Sequence, residues 1–165
     1  MRVRSVAAAA LIAAALALSA CGGGGSGGGS SPTSPPSESP AGNFNSSFAA
    51  VSGQFQHGSQ VIGGALITAK AMTDAQVETA FKTLASRWQI ALSKLETLTP
   101  PAAAQEDFNT LKDAATRVEA DLNAIVSAAQ NHDASAAKQA STTLVNDIQA
   151  AKTAAQSIDQ KLGTS

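Results

Sequence analysis

A second cysteine is missing from this chain of 165 residues, so no intramolecular disulfide can form. Charge is sparse: Asp, Glu, Lys and Arg make up 14% of the residues. The Lys and Arg form no stripe or cluster, which disfavours nucleic acid as a partner. The two histidines, His57 and His132, fall on different segments. With no His-x-x-x-His and no Glu-x-x-His, a zinc or di-iron site has no ligand set. Hydrolase signatures are missing too, both the Gly-x-Ser-x-Gly elbow and a Ser-x-x-Lys with its companion motifs. Gly22 to Gly25 lacks the Gly-Lys-Ser/Thr ending of a phosphate loop and follows no strand. No stretch alternates with period two, so no strand is predicted. These absences point to a protein that is not an enzyme and carries no cofactor or metal.

What is present begins at the N-terminus. Met1-Arg2-Val3-Arg4 is a short basic segment, and Ala7 to Leu18 is an apolar run of signal-peptide length. That run is too short to span a bilayer comfortably. Ser19 and Ala20 supply small residues ahead of a cut, and the only cysteine, Cys21, follows them. Arg2 and Arg4 are not adjacent, which favours the general secretory route over twin-arginine export. An ordinary secretory signal with an incidental cysteine is the alternative, but a secreted protein seldom keeps one unpaired thiol.

Leu18-Ser19-Ala20-Cys21 resembles a bacterial lipobox, an aliphatic residue and two small residues before a cysteine. The resemblance implies a diacylglyceryl group on the Cys21 sulfur, cleavage after Ala20, and frequent acylation of the new amine. Residues 1–20 are then a lipoprotein signal peptide. Each buried methylene contributes about 0.8 kcal/mol, so two or more acyl chains anchor stably where one is marginal. Losing Arg2 and Arg4 while keeping all 12 Asp and Glu makes the mature chain more acidic than the precursor.

Residues 21–42 read as the lipidated N-terminus and a tether. Gly and Ser dominate to Ser30, and prolines 32, 35, 36 and 40 follow. The composition offers almost no apolar side chains to offset ordering entropy, which predicts disorder. As coil the segment spans about 25 Å, and stretched it reaches about 70 Å. Thr33 and Ser34 beside prolines fit the composition of O-glycosylated stalks.

From Asn43 the texture changes, and residues 43–165 suffice for one domain with its own core. Four segments repeat apolar residues near every 3.5 positions: Phe44 to Ala69, Val77 to Leu98, Ala104 to Ala129 and Ala137 to Leu162. Asn43 is suited to cap the first helix, Thr73 and Gln76 form a capping box, and Asp133 caps the fourth. Thr99-Pro100-Pro101 stops the second, Pro101 suits the first turn of the third, and Gly163 ends the last. Short connections between helices of similar length predict an all-α, antiparallel up-down-up-down four-helix bundle.

Counting back from each turn places Gly58, Trp88, Ala115 and Ala151 at one height, a large residue facing three small ones. This layer is the candidate packing or pocket site, with a Trp88 partly exposed at the bundle edge as the competing reading. Gly53, Gly58, Gly63 and Gly64 each cost the first helix about 1 kcal/mol relative to alanine. Close packing accounts for Gly58, while Gly63-Gly64 suggest a kink or break and a first helix able to open. His57 lies off the apolar stripe, and His132 belongs to a turn at the end of the third helix. Ser93-Lys94 and Ser141 read as helix surface. Glu106 and Asp107 complement a helix N-terminus, and Asp113, Glu119 and Asp121 read as a solvated face.

The layout of lipobox, Gly/Ser/Pro tether and helical domain resembles the small alanine-rich lipoproteins of high-G+C Gram-positive bacteria. That resemblance places the protein on the extracytoplasmic face of the cell membrane, held through Cys21. It carries no functional motif, so the expected role is a non-enzymatic binding or scaffolding module for an envelope protein or ligand. A receptor for a small ligand or peptide between the helices is the first alternative, and an enzyme or metal-handling bundle the second.

Overall fold

The computed structural model describes residues 40–163, and the signal segment, Cys21 and most of the tether lie outside them. Four long helices follow one another: α1 Pro40–Thr68, α2 Asp74–Glu96, α3 Gln105–Gln130 and α4 Ala134–Leu162. They form an antiparallel up-down bundle, with no strand among the described residues. A 3-10 turn at Ala69–Ala71 opens the first connection, and another at Ala102–Ala104 closes the second.

Local chemistry sets most helix ends. Thr73 accepts from the Gln76 backbone N–H, and the Gln76 side chain accepts at 2.9 Å from the Thr73 backbone N–H. The reciprocal pair satisfies two donors that the first turn of α2 would otherwise leave free. The Asp133 carboxylate accepts from the backbone of Ser135 and Ala136 at 3.0 and 2.9 Å. Gly163 takes the left-handed conformation, φ 67°, and its N–H closes the last turn of α4.

Two boundaries differ from the sequence expectation. α1 starts at Pro40, so Asn43 lies inside the helix rather than capping it. Proline needs no amide partner and has a helical φ, which favours it as a first helical residue. Three residues assigned to the tether are therefore helical. Pro101 stays extended, ψ 154°, and precedes the 3-10 turn instead of joining α3. The Gly63-Gly64 pair does not break α1, which runs continuously through it.

Contacts between helices fix the antiparallel register. Phe44 of α1 meets Phe108 of α3 edge-on at 5.8 Å. Lys161 of α4 pairs with Asp107 of α3 at 2.7 Å. At the other end Gln130 of α3 donates to Glu78 of α2 at 2.8 Å. The core runs the length of the bundle through Phe48, Phe81, Leu95, Leu111, Val118, Leu122, Leu144 and Ile158, all fully buried.

Packing is uneven around the bundle. α3 packs closely against α2 and α4, whereas α1 packs less closely against α2 and least against α4. Large side chains, Phe44, Phe48, Phe55 and Ile62, make the core contacts of α1. Between and beyond them the helix carries Gly53, Gly63, Gly64 and Ala65, which have little to fill the space with. Grooves flank α1 as a result.

Candidate functional site

The layer inferred from the sequence sits at mid-bundle. Trp88 is 3% exposed, with Ala115 at 0% and Ala151 at 5%. A Cβ on Gly58 would lie 3.3 Å from Trp88 Cε3 and 3.4 Å from Cζ3, so the α1 backbone passes directly against the indole. Phe55 packs edge-on to the same ring at 4.8 Å. The indole N–H donates at 2.8 Å to the Ala115 carbonyl oxygen. A helical carbonyl has a second lone pair, so this bond satisfies a buried donor without requiring the α3 ladder to open. Trp88 forms part of the lining of two grooves, one of about 460 Å³ between α1 and α2, the other of about 300 Å³ between α1 and α4. Ala151 borders the second of these.

A larger recess lies at the turn end of the bundle, where α1 and α3 finish and α2 and α4 begin. Its volume is about 770 Å³. Phe81 of α2 and Ile125 and Ala129 of α3 form an apolar floor, with Phe81 at 0% and Ile125 at 2% exposure. Leu66 and Ala69 line the α1 side, and Ala137, Ser141 and Val145 line the α4 side. Ala69, Ala128, Ala129, Ala134 and Ala137 make up much of the lining, and their small side chains leave the space open.

Polar groups rim this recess. Lys70 is the middle residue of the 3-10 turn after α1, and Lys138 stands one turn into α4. His132 contacts Asp74 through Nδ1 and Oδ2. His132 itself has φ 53°, a left-handed conformation unusual for a residue with a side chain. It occupies the position after the α3 C-cap that glycine usually takes. Its N–H donates to Ala129 O at 3.2 Å, and the Asp133 N–H donates to Ala128 O at 2.9 Å. Together these two bonds close a Schellman motif.

The other candidate polar residues disperse. His57 is exposed on α1, as are Ser93 and Lys94 on α2. Ser141 is half-buried on the recess wall, and its hydroxyl donates to Ala137 O at 2.7 Å. Glu106 and Asp107 occupy the first turn of α3, and Asp107 also holds Lys161. No three His, Asp or Glu converge to hold a metal ion among the described residues. No helix among them is long and apolar enough to cross a membrane.

Asp121 corrects the reading of a wholly solvated acidic face. It turns toward α4, accepts from Thr143 Oγ1 at 2.7 Å, and lies near Asp147, which pairs with Arg117 at 2.8 Å. Burial raises its carboxyl above the usual range, the Thr143 bond opposes this, and the neighbouring Asp147 charge adds to the rise. Which acid of α3 faces α4 depends on the mutual rotation of the helices, which spacing along one segment does not reveal.

The recess also escaped the sequence reading, because its lining comes from every helix. Comparison of the chain with protein-family models, curated proteins and solved structures finds no match.

Proposed function

We propose that this protein is a lipid-anchored binding module of the bacterial cell surface, which holds a small ligand between its helices. The observation that carries the binding half is the turn-end recess of about 770 Å³, with a buried apolar floor and a polar rim. Its size falls in the range of ligand sites, about 300–1,000 Å³. Support for the anchor is the Leu18-Ser19-Ala20-Cys21 sequence, which lies outside the described residues. A catalytic reading gains no support from the histidines: His132 meets Asp74 rather than a hydroxyl, and His57 stands exposed.

Two measurements test the two halves separately. Mass spectrometry of the mature N-terminal peptide, from protein in the membrane fraction, is expected to find diacylglycerol on Cys21. An unmodified thiol there would sink the anchor. Native mass spectrometry and solvent extraction of the purified protein are expected to release a bound small molecule. A protein captured instead by crosslinking in intact cells, and still captured when the recess is filled by substitution, would return the reading to scaffolding.

A further inference from the structure

We infer that the turn-end recess takes a single-chain amphipathic anion, its apolar chain along Phe81, Ile125 and Ala129 and its acid group at Lys70 and Lys138. The inference rests on the small-ligand reading of this recess and adds the chemistry of the occupant.

The floor determines one end of the ligand. Phe81, Ile125 and Ala129 present only hydrocarbon and sit below the surface, so a chain lying there leaves water without exposing unmet polar groups. The rim determines the other end. Its acids are already engaged: Asp74 contacts His132, and Asp133 caps α4 through two backbone amides. Lys70 and Lys138 border the same opening and form no ion pair among the described residues. The mouth is formally balanced, two lysines against two aspartates, and the lysines are the charged groups there left without a protein partner among the described residues. Lysine suits this place because its methylene stem can follow an apolar wall while the ammonium reaches water or an anion.

The shape favours a slender molecule over a protein. Stable protein interfaces need about 800 Å² from each partner, usually displayed as a broad surface. Here the apolar atoms are recessed, and of the strongly exposed large apolar residues only Val145, at 54%, belongs to the lining. A bilayer surface is disfavoured as well, since the outward helix positions are mainly Ala, Ser, Thr, Gln and Asn without a basic face.

The test uses the full-length chain with Cys21→Ala, which removes acyl groups that would compete with the probe. A dansyl-labelled fatty acid is titrated and then displaced with hexadecanoate or with hexadecanol. Saturable, blue-shifted fluorescence is expected, with hexadecanoate competing about tenfold better than the alcohol. The Lys70→Gln, Lys138→Gln double variant should lose that preference while still binding hexadecanol. Ala137→Trp should fill the recess and weaken both competitors, with circular dichroism confirming the helical fold; Ser141→Phe serves if that variant misfolds.

Equal competition by acid and alcohol would overturn the charge assignment and leave the small-ligand reading standing. Absence of any probe binding would overturn the inference, and absence of a bound small molecule in native mass spectrometry as well would remove the small-ligand reading. Binding that survives both recess-filling variants would place the site elsewhere. Flotation with phosphatidylglycerol vesicles, without binding of the free acid, would replace the single chain with a bilayer and overturn the inference.

Discussion

The Trp88 indole N–H and the Ala115 carbonyl oxygen meet at 2.8 Å inside the bundle, tying α2 to α3 at mid-height. The same ring lies against the α1 backbone at Gly58. One side chain thus touches two neighbouring helices by different means, a hydrogen bond on one side and close packing on the other. Trp88→Ala should cost about 3–5 kcal/mol through the cavity it leaves. Trp88→Phe retains part of the volume but loses the bond, and should cost about 1–3 kcal/mol. Urea denaturation followed by circular dichroism reads both. An unchanged midpoint for Trp88→Ala would show that the layer does not hold the helices.

The glycines of α1 should separate into two classes. A Cβ on Gly53, Gly63 or Gly64 would meet nothing within 4 Å. Alanine at any of these positions should stabilise the protein by about 0.5–1 kcal/mol through reduced backbone entropy in the unfolded chain. At Gly58 the new methyl would press on the Trp88 ring at 3.3 Å, and the ring is held by Ala115. Gly58→Ala should therefore gain less than the other three or lose stability. Four equal gains in chemical denaturation would contradict the close approach.

Asp121 makes stability depend on pH in a direction opposite to a surface-paired carboxylate. Its pKa is raised in the folded state, chiefly by burial. The folded protein binds this proton more readily than the unfolded chain. The contribution is therefore full below the unfolded carboxyl range and is lost as pH rises through the folded pKa. Asp121→Asn preserves an acceptor for Thr143 and removes the charge beside Asp147. The variant should melt higher than the parent at neutral pH, and the difference should shrink near pH 3, below the ordinary range of about 3.9. A difference in melting temperature that is the same at both pH values would rule out desolvation as its origin.

His132 occupies a backbone conformation that glycine adopts without strain. In an Asp74→Asn background, His132→Gly should stabilise by about 1 kcal/mol, the usual relief for a left-handed position. With Asp74 intact the gain should be smaller, because the exposed contact is worth about 0–1 kcal/mol. A thermodynamic cycle over the two positions measures that contact directly. Destabilisation by His132→Gly in both backgrounds would mean that the imidazole holds this turn in another way.

Features governed by a few adjacent residues were legible in the sequence. The Thr73–Gln76 box, the Asp133 cap and the left-handed Gly163 each depend on chemistry within one turn, and the helical period marked all four helices. The start of α1 was not, because Asn43 and Pro40 both favour a helix start and only two residues lie between them. Features set between helices were read in part. Counting from the turns brought Trp88 level with Gly58, but the carbonyl that receives its N–H depends on the rotation of α3. The same rotation turns Asp121 inward. The recess depends on a distance, the separation of α1 from α4, and a periodic pattern carries no distances.

The parity of the helices has a practical consequence. Four antiparallel segments return the chain to its starting side, so Phe44 and Lys161 both reach the beginning of α3, at Phe108 and Asp107. The opposite side is built only from the connections at 69–73 and 131–133. A fluorescent reporter fused beyond Leu162 would thus be attached a full helix length, about 40 Å, from the mouth of the recess. One inserted at Asn131 would stand in its doorway. The pair offers a genetic means of blocking access without altering a single lining residue.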